Sequence, residues 1–245
     1  MKLKLLHLYA DLMNLYGEYG NIAILKRNLE DQGAQVSVIK AETAAGLSFG
    51  AFDFVYIGSG TEKNMKKALA DLRKEKESFA RAVQGGTVML LTGNAFEMLG
   101  KIVTDCTGKN YEGLCLAPFT TTEQCKKRVT GDCYCVCDFL HEPLVGFINK
   151  CSAIQGVETP LFDMQMGFGN SENETLEGLH LRNLFGTHMI GPILIKNPHF
   201  LEYIVVLLCT RQNAEFVPVH KEYPYAQRAY IVTKEKLYAR MQREI

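Results

Sequence analysis

Eight cysteines and six histidines are the side chains of this 245-residue protein best able to carry covalent or metal chemistry. A thiolate attacks carbonyl carbon or binds a metal, and an imidazole takes up the displaced proton, so spacing decides which of them matter. Cys133, Cys135 and Cys137 alternate with Tyr134 and Val136, which on a strand points all three thiols to one face. Zinc sites more often use Cys-x-x-Cys pairs on loops that wrap the ion, and a straight strand spreads alternate thiols too widely. These three therefore read as small buried hydrophobes, and no metal site is expected. Cys106, Cys115, Cys125, Cys151 and Cys209 have no neighbouring sequence that makes a nucleophile elbow, and they read as buried or idle thiols. Gly58-Ser59-Gly60 is flexible enough to bring backbone N–H groups to a ligand, yet it lacks the Lys and Ser/Thr of a Walker phosphate loop. Asp11 and Asn14 to Tyr16 read as turn residues that bond their own backbone.

The elements that must position these residues follow from periodicity. Lys2 to Tyr9 alternates as a strand, and Ile22, Ala23, Leu25 and Leu29 recur at helical spacing before Gly33, a C-cap. Gln35 to Ile39 and Phe52 to Ile57 are further strands. Glu62 to Val83 is predicted as one long surface helix, with Met65, Ala68, Leu69, Leu72, Phe79 and Val83 as its buried stripe. Val88 to Leu91 is a buried strand, and Gly93 begins a turn into Ala95 to Leu99. This rhythm predicts an open α/β sheet with parallel strands, whose site lies at their carboxyl ends. Met13 to Asn21, Gly58 to Glu62 and Thr92 to Ala95 should converge there. From Ile102 to Ile154 short strands and turns read as more antiparallel, Gly167 to Glu177 as a loop, and Pro198 to Arg211 as a final amphipathic helix.

Composition bounds the function. The chain carries 27 basic and 27 acidic residues, so no net field draws it to nucleic acid or an anionic membrane. The longest apolar stretch, Tyr203 to Cys209, is far short of a bilayer span, and Met1 to Ala10 lacks the features of a signal peptide. Eight cysteines without a secretory signal point to a reducing, cytoplasmic compartment. One domain over residues 1–212 is expected, with a polar helical tail, 213–245, packed on it.

Several stretches, in one order, resemble a known family. Tyr9-Ala10-Asp11-Leu12-Met13-Asn14-Leu15-Tyr16-Gly17-Glu18-Tyr19-Gly20-Asn21-Ile22 is similar to the opening signature of GatD-like glutaminase subunits of lipid II isoglutaminyl synthase, a branch of the CobB/CobQ amidotransferases. Ile57-Gly58-Ser59-Gly60, Glu112-Gly113-Leu114, Arg128-Val129-Thr130-Gly131-Asp132, Val145-Gly146-Phe147, Gly167-Phe168-Gly169-Asn170, Glu177-Gly178, Gly186-Thr187 and Gly191-Pro192-Ile193-Leu194 continue the match to about Pro198. The resemblance implies a class I glutamine amidotransferase-like (flavodoxin-like) three-layer α/β fold with a central, mostly parallel sheet. It also implies glutamine hydrolysis by a cysteine and a histidine, with ammonia passed to a Mur-ligase-like partner in a heterodimer that amidates lipid II glutamate. No cofactor is implied. Arg128 stands where the family holds the carboxylate of glutamine, and Gly58, Ser59, Gly60, Asn94 and His188 fall in the segments expected to line that pocket.

The chain departs from the family at the reacting groups. Counting back from Leu99-Gly100 puts Gly93 at the nucleophile position, and a one-residue insertion puts Thr92 there. The segment that carries the family's base reads Gly186-Thr187-His188-Met189-Ile190-Gly191-Pro192, with Ile190 at the histidine position. His188 lies two residues earlier, roughly 6–7 Å along an extended chain, which is beyond reach of a fixed nucleophile. The leading expectation is a degenerate subunit that pairs with a Mur-ligase-like enzyme. Two alternatives stay open: an active glutaminase using Thr92 or a displaced cysteine, and a sensor that binds glutamine or another small amino acid without turnover.

Overall fold

The computed structural model describes residues 1–243. Alternation along four strands builds its centre. β1 (Lys2–Leu8), β2 (Gln35–Ala41), β3 (Phe54–Ile57) and β4 (Val88–Thr92) are parallel, with β1 between β2 and β3 and β4 beside β3. Leu3, Leu5, Phe54, Tyr56, Val88 and Leu90 face one layer, whereas Leu6, Leu8, Val55, Ile57, Met89 and Leu91 face the other. That split is the two-residue repeat of a strand covered on both sides, and it is why every residue of β3 and β4 is buried. The first set packs on Ile22, Leu25 and Leu29 of α1 (Tyr19–Asp31). The second packs on Met65, Leu69 and Leu72 of α2 (Glu62–Leu72) and on Phe79 and Val83 of α3 (Lys76–Gln84).

The helix expected over Glu62 to Val83 is broken by a 3₁₀ turn at Arg73–Glu75. Six residues separate Leu72 from Phe79, and this intervening charged run offers no apolar side chain to hold a straight helix on the sheet. The break lets Phe79 turn inward, edge-on to Phe49 at 5.0 Å between ring centroids.

Beyond β4, a 3₁₀ segment (Gly93–Leu99) leads into eleven short strands: β5 (Ile102–Thr104), β6 (Asn110–Glu112), β7 (Thr120–Glu123), β8 (Val129–Val136), β9 (Leu144–Lys150), β10 (Ser152–Gln155), β11 (Phe162–Met166), β12 (Leu176–Glu177), β13 (Leu179–Leu181), β14 (Leu184–Thr187) and β15 (Met189–Ile190). β14 joins β4 in parallel, and β13 closes that edge antiparallel, so the central sheet is ordered β13-β14-β4-β3-β1-β2. The mostly parallel sheet and the antiparallel second half are thus both present, the latter as a four-stranded sheet β10-β7-β5-β6 and a five-stranded sheet β12-β11-β8-β9-β15. The chain then forms α4 (Ile193–Lys196), α5 (Pro198–Gln212), which buries Phe200, Ile204 and Leu208, and α6 (Pro224–Met241).

The tail expected to be helical throughout is helical only from Pro224, and Glu244 and Ile245 lie outside the described residues. Residues 213–223 form an irregular strap, held to the end of α1 by a reciprocal pair in which Gln32 Nε2 donates to the Val219 carbonyl (3.0 Å) and Val219 N–H donates to Gln32 Oε1 (2.7 Å). α6 lies on β8 and β9, where buried Tyr230 donates to the Pro143 carbonyl at 2.7 Å. Among the described residues no helix is long and apolar enough to cross a membrane.

Phe79→Ala should cost about 3–5 kcal/mol, the usual loss for a buried phenyl, read as a lower urea midpoint. A loss below about 1 kcal/mol would mean that the helix break is held by something other than this ring.

Candidate functional site

Parallel strands deliver their carboxyl ends to one edge, and the loops that leave them must share it. Leu15 and Tyr16 after β1, Ser59 to Glu62 after β3 and Asn94 after β4 line one cavity of about 270 Å³. Its far wall comes from Glu97 in the 3₁₀ segment after β4 and, from the antiparallel half, Glu123, Arg128, Asn149, Lys150 and Cys151. Asn94 braces the floor: its Oδ1 accepts from Gly60 N–H at 3.0 Å and its Nδ2 donates to the Gly60 carbonyl at 2.8 Å. Leu15 N–H donates to the Ser59 carbonyl at 3.0 Å, which ties the first loop to the second.

Ser59, Gly60, Asn94 and Arg128 therefore line the cavity as the sequence suggests, while two expected pocket residues do not. Gly58 lies beneath it, where a Cβ would stand 2.5 Å from the Met13 carbonyl and 2.8 Å from Glu18 Cβ. His188 is buried behind the wall, its Nε2 3.3 Å from Glu97 Oε1, its Nδ1 3.3 Å from Glu177 Oε1, and its ring edge-on to Phe96. Two carboxylates compete for that ring, so it reaches the cavity only through Glu97.

Gly93 adopts φ of +59°, a left-handed conformation that glycine takes without cost. A Cβ there would lie 2.3 Å from Ser59 Oγ, 2.4 Å from Ser59 Cβ and 3.1 Å from Ile190 Cγ2. Gly93 and Ile190, the positions matched to nucleophile and base, are thus neighbours, and the Ser59 side chain fills the space between Gly93 and the cavity. Thr92 turns away from the cavity. Its hydroxyl donates to Glu18 Oε2 at 2.7 Å and lies 2.8 Å from Tyr56 OH, which also donates to Glu18 and accepts from Asn21 Nδ2 at 2.8 Å. Burial pushes the Glu18 carboxyl up, against the pull of the Tyr56 and Thr92 hydroxyls.

The cavity itself is polar, with Arg128 and Lys150 set among Glu62, Glu97 and Glu123. Arg128 pairs with Glu62 and donates from Nη1 to Asn149 Oδ1 at 3.0 Å, and Asn149 Nδ2 donates to Tyr16 OH at 3.0 Å. The Cys151 thiol donates to Glu62 Oε1 at 3.0 Å, and burial followed by that carboxylate pushes it up to about 12. It is a thiol, not a thiolate, at neutral pH. Lys150 donates to the Gly169 and Asn170 carbonyls at 2.6 and 2.9 Å, while burial pulls its ammonium below the usual range. Glu97 accepts from Ser152 Oγ at 2.5 Å.

Glu97, Glu123, Lys150 and Cys151 were not singled out as wall residues by sequence, though two carried a signal. Glu97 sits in the otherwise apolar run Ala95-Phe96-Glu97-Met98-Leu99, and strand alternation puts Lys150 on the face of Ile148 and Gly146. Cys133 and Cys135 are buried, and burial pushes Cys133 up to about 12. No three His, Cys, Asp or Glu side chains among the described residues are arranged to hold a metal. The expectation of idle thiols fails at one pair: Cys106 and Cys125, 5.2 Å apart at Cα, are joined by a disulfide.

Residues 4–198 match the model of the CobB/CobQ-like glutamine amidotransferase domain, and the chain belongs to that family. Within it the chain is similar to subunit GatD of lipid II isoglutaminyl synthase (glutamine-hydrolyzing) from Staphylococcus aureus, at 30% identity over 217 residues, 89% of this chain and 88% of that one. The corresponding GatD of Streptococcus pneumoniae is 32% identical over 206 residues, 83% and 79% of the two chains. A chain in the structure of PurLQS from Thermotoga maritima shares the fold, with a TM-score of 0.58 over 87% of this chain and 100% of that one at 11% identity. The fold is the class I glutamine amidotransferase-like three-layer arrangement.

Two outcomes follow from the packing below the cavity. Gly93→Cys alone should lose about 1–3 kcal/mol by overpacking against Ser59, and Ser59→Gly should restore part of it, with a coupling above about 0.5 kcal/mol in urea denaturation. Strict additivity of the two changes would mean that Ser59 does not fill that space. Glu18 has the opposite linkage to an ion-paired acid: with its folded carboxyl raised above the ordinary value near 4.3, its contribution is full at low pH and is lost as pH rises through the folded value. Between pH 4 and 8 the melting temperature of Glu18→Gln should therefore gain on that of the unsubstituted protein. A constant difference across that range would show that Glu18 is not titrating.

Proposed function

We propose that this protein is a catalytically silent GatD-like subunit that pairs with a Mur-ligase-like enzyme in the amidation of lipid II glutamate. The observation that carries the reading is the filled space at Gly93: where a thiol must stand there is no side chain, and Ser59 occupies the volume. The remaining hydroxyl and thiol do not replace it. Thr92 spends its hydroxyl on buried Glu18 on the other side of the turn, and Cys151 holds its proton against Glu62. An amide carbonyl is attacked only by an activated nucleophile, and neither group is activated. Across from Gly93 the side chain is Ile190, which accepts no proton.

In this reading the protein works in the cytoplasm, where the partner's nucleotide and lipid II precursor are made available. The polar cavity favours a second role for the same site, retention of a small zwitterion. Arg128 and Lys150 face Glu62, Glu97 and Glu123, so both ends of an amino acid would find opposite charges within 270 Å³. Arg128 is already engaged by Glu62, so a ligand carboxylate must displace that partner, which keeps binding weak.

Purified protein, alone and with the Mur-ligase-like partner, should release no glutamate from glutamine above the buffer rate, while the partner co-elutes with it on size exclusion. Turnover at an enzymatic rate that disappears in Cys151→Ser or Thr92→Val would overturn the silent reading. Failure of the two proteins to associate would overturn the pairing.

A further inference from the structure

The disulfide sits at a mechanically chosen place. Cys106 lies in the turn between β5 and β6, which Asp105 makes rigid: its Oδ1 accepts from Thr107 N–H (2.8 Å), Thr107 Oγ1 (2.7 Å) and Lys109 N–H (3.1 Å). Cys125 lies in the exposed link 124–128 between β7 and β8, which runs from the cavity residue Glu123 to the cavity residue Arg128. Little else restrains that link: Gln124 N–H donates to the Cys151 carbonyl at 2.5 Å, and Lys127 pairs with Glu172 on the surface. The same turn also grips the cavity wall directly, since Cys106 N–H donates to Glu123 Oε2 at 3.4 Å. Both cysteines are exposed, whereas Cys133, Cys135 and Cys209 are buried.

From this placement we infer that Cys106–Cys125 is a reducible redox latch, which in its oxidised form fastens segment 124–128, and with it Arg128, to the rigid β5–β6 turn. A dithiol reductant opens it. The reductant's thiolate attacks exposed Cys125 Sγ, the Cys106–Cys125 bond breaks, and Cys106 leaves as a thiolate that takes a proton from water. The reductant's second thiol, as its thiolate, then attacks its own sulfur in the mixed disulfide. Cys125 is released and protonated, and the reductant is left as a cyclic disulfide, two electrons having passed to the protein. Arg128 then keeps its ion pair with Glu62 and its bond to Asn149, and the link keeps its anchors at Gln124, Lys127 and the Val129 start of β8, so the wall loosens without the sheets moving. A bridge buried in a core would serve stability alone. One at the rim of a ligand cavity, on an exposed link, converts thiol redox state into the position of a binding residue.

Thiol counting and hydrogen exchange test the latch. Protein purified without reductant and labelled with maleimide after denaturation should show six reactive thiols, rising to eight when native protein is first incubated with dithiothreitol. Reduction should speed amide exchange over residues 124–128 on the order of tenfold, with the β1–β4 amides unchanged. Cys106→Ser and Cys125→Ser should each exchange like the reduced protein and cease to respond to dithiothreitol, while Cys115→Ser keeps the full response. Eight thiols in the unreduced protein, a bridge that dithiothreitol opens only on unfolding, or exchange over 124–128 that ignores redox state would each overturn the inference. None of these measurements depends on what the cavity binds.

Discussion

Two parallel strands that end side by side cannot both spend side-chain volume on the turn that follows, and this constraint governs the site. β3 and β4 are hydrogen-bonded neighbours through Ile57 and Leu91, so the residues just beyond them, Ser59 and Gly93, meet in the same few ångströms. One of the two positions must be nearly empty. Here the volume goes to Ser59, and the left-handed turn at Gly93 is left bare. A chain that placed a reactive side chain at 93 would need the reverse allocation, with space opened at 59. Ser59 and Gly93 are therefore coupled as a pair of positions, with the strands, the turn and the Asn94 brace fixed around them.

The polar groups behind the cavity hold its wall in place. Glu97, Glu177, Lys150 and His188 are all buried, and each finds partners: Glu177 takes Thr187 Oγ1 and His188 N–H, Lys150 takes two carbonyls, Glu97 takes Ser152. Removing one partner from such a set leaves another buried charge uncompensated, a cost of several kcal/mol. The segments that carry the family likeness are the ones that build it. Gly169 and Asn170 supply the carbonyls for Lys150, Glu177-Gly178 the carboxylate and a turn locked to Asn170, and Thr187 a hydroxyl. Selection on folding alone would hold these residues in place whether or not glutamine is cleaved.

What sequence could show about this molecule follows from how far each signal reaches. Alternation in β1, β3 and β4 is a local property, so the open parallel sheet and the convergence of its loops were readable from spacing, whereas the three-layer class came from the family resemblance. The break at Arg73–Glu75 was not: those residues favour helix, and only Phe49, brought from another segment, gives Phe79 a reason to turn. His188 looked like a pocket residue because it is a histidine near the right loop, whereas its environment is set by Glu97 and Glu177, 91 and 11 residues away. The disulfide was hidden most deeply, since Cys106 and Cys125 are 19 residues apart on links whose approach depends on β5 pairing with β7.

The charged groups of the cavity are held by partners within the protein: Arg128 by Glu62, Lys150 by two carbonyls, Cys151 by the same Glu62. Arg128 ends the exposed link after Glu123, one residue before β8 begins. The wall of this cavity is thus built jointly by the loops of the parallel sheet and by the antiparallel half that carries Arg128.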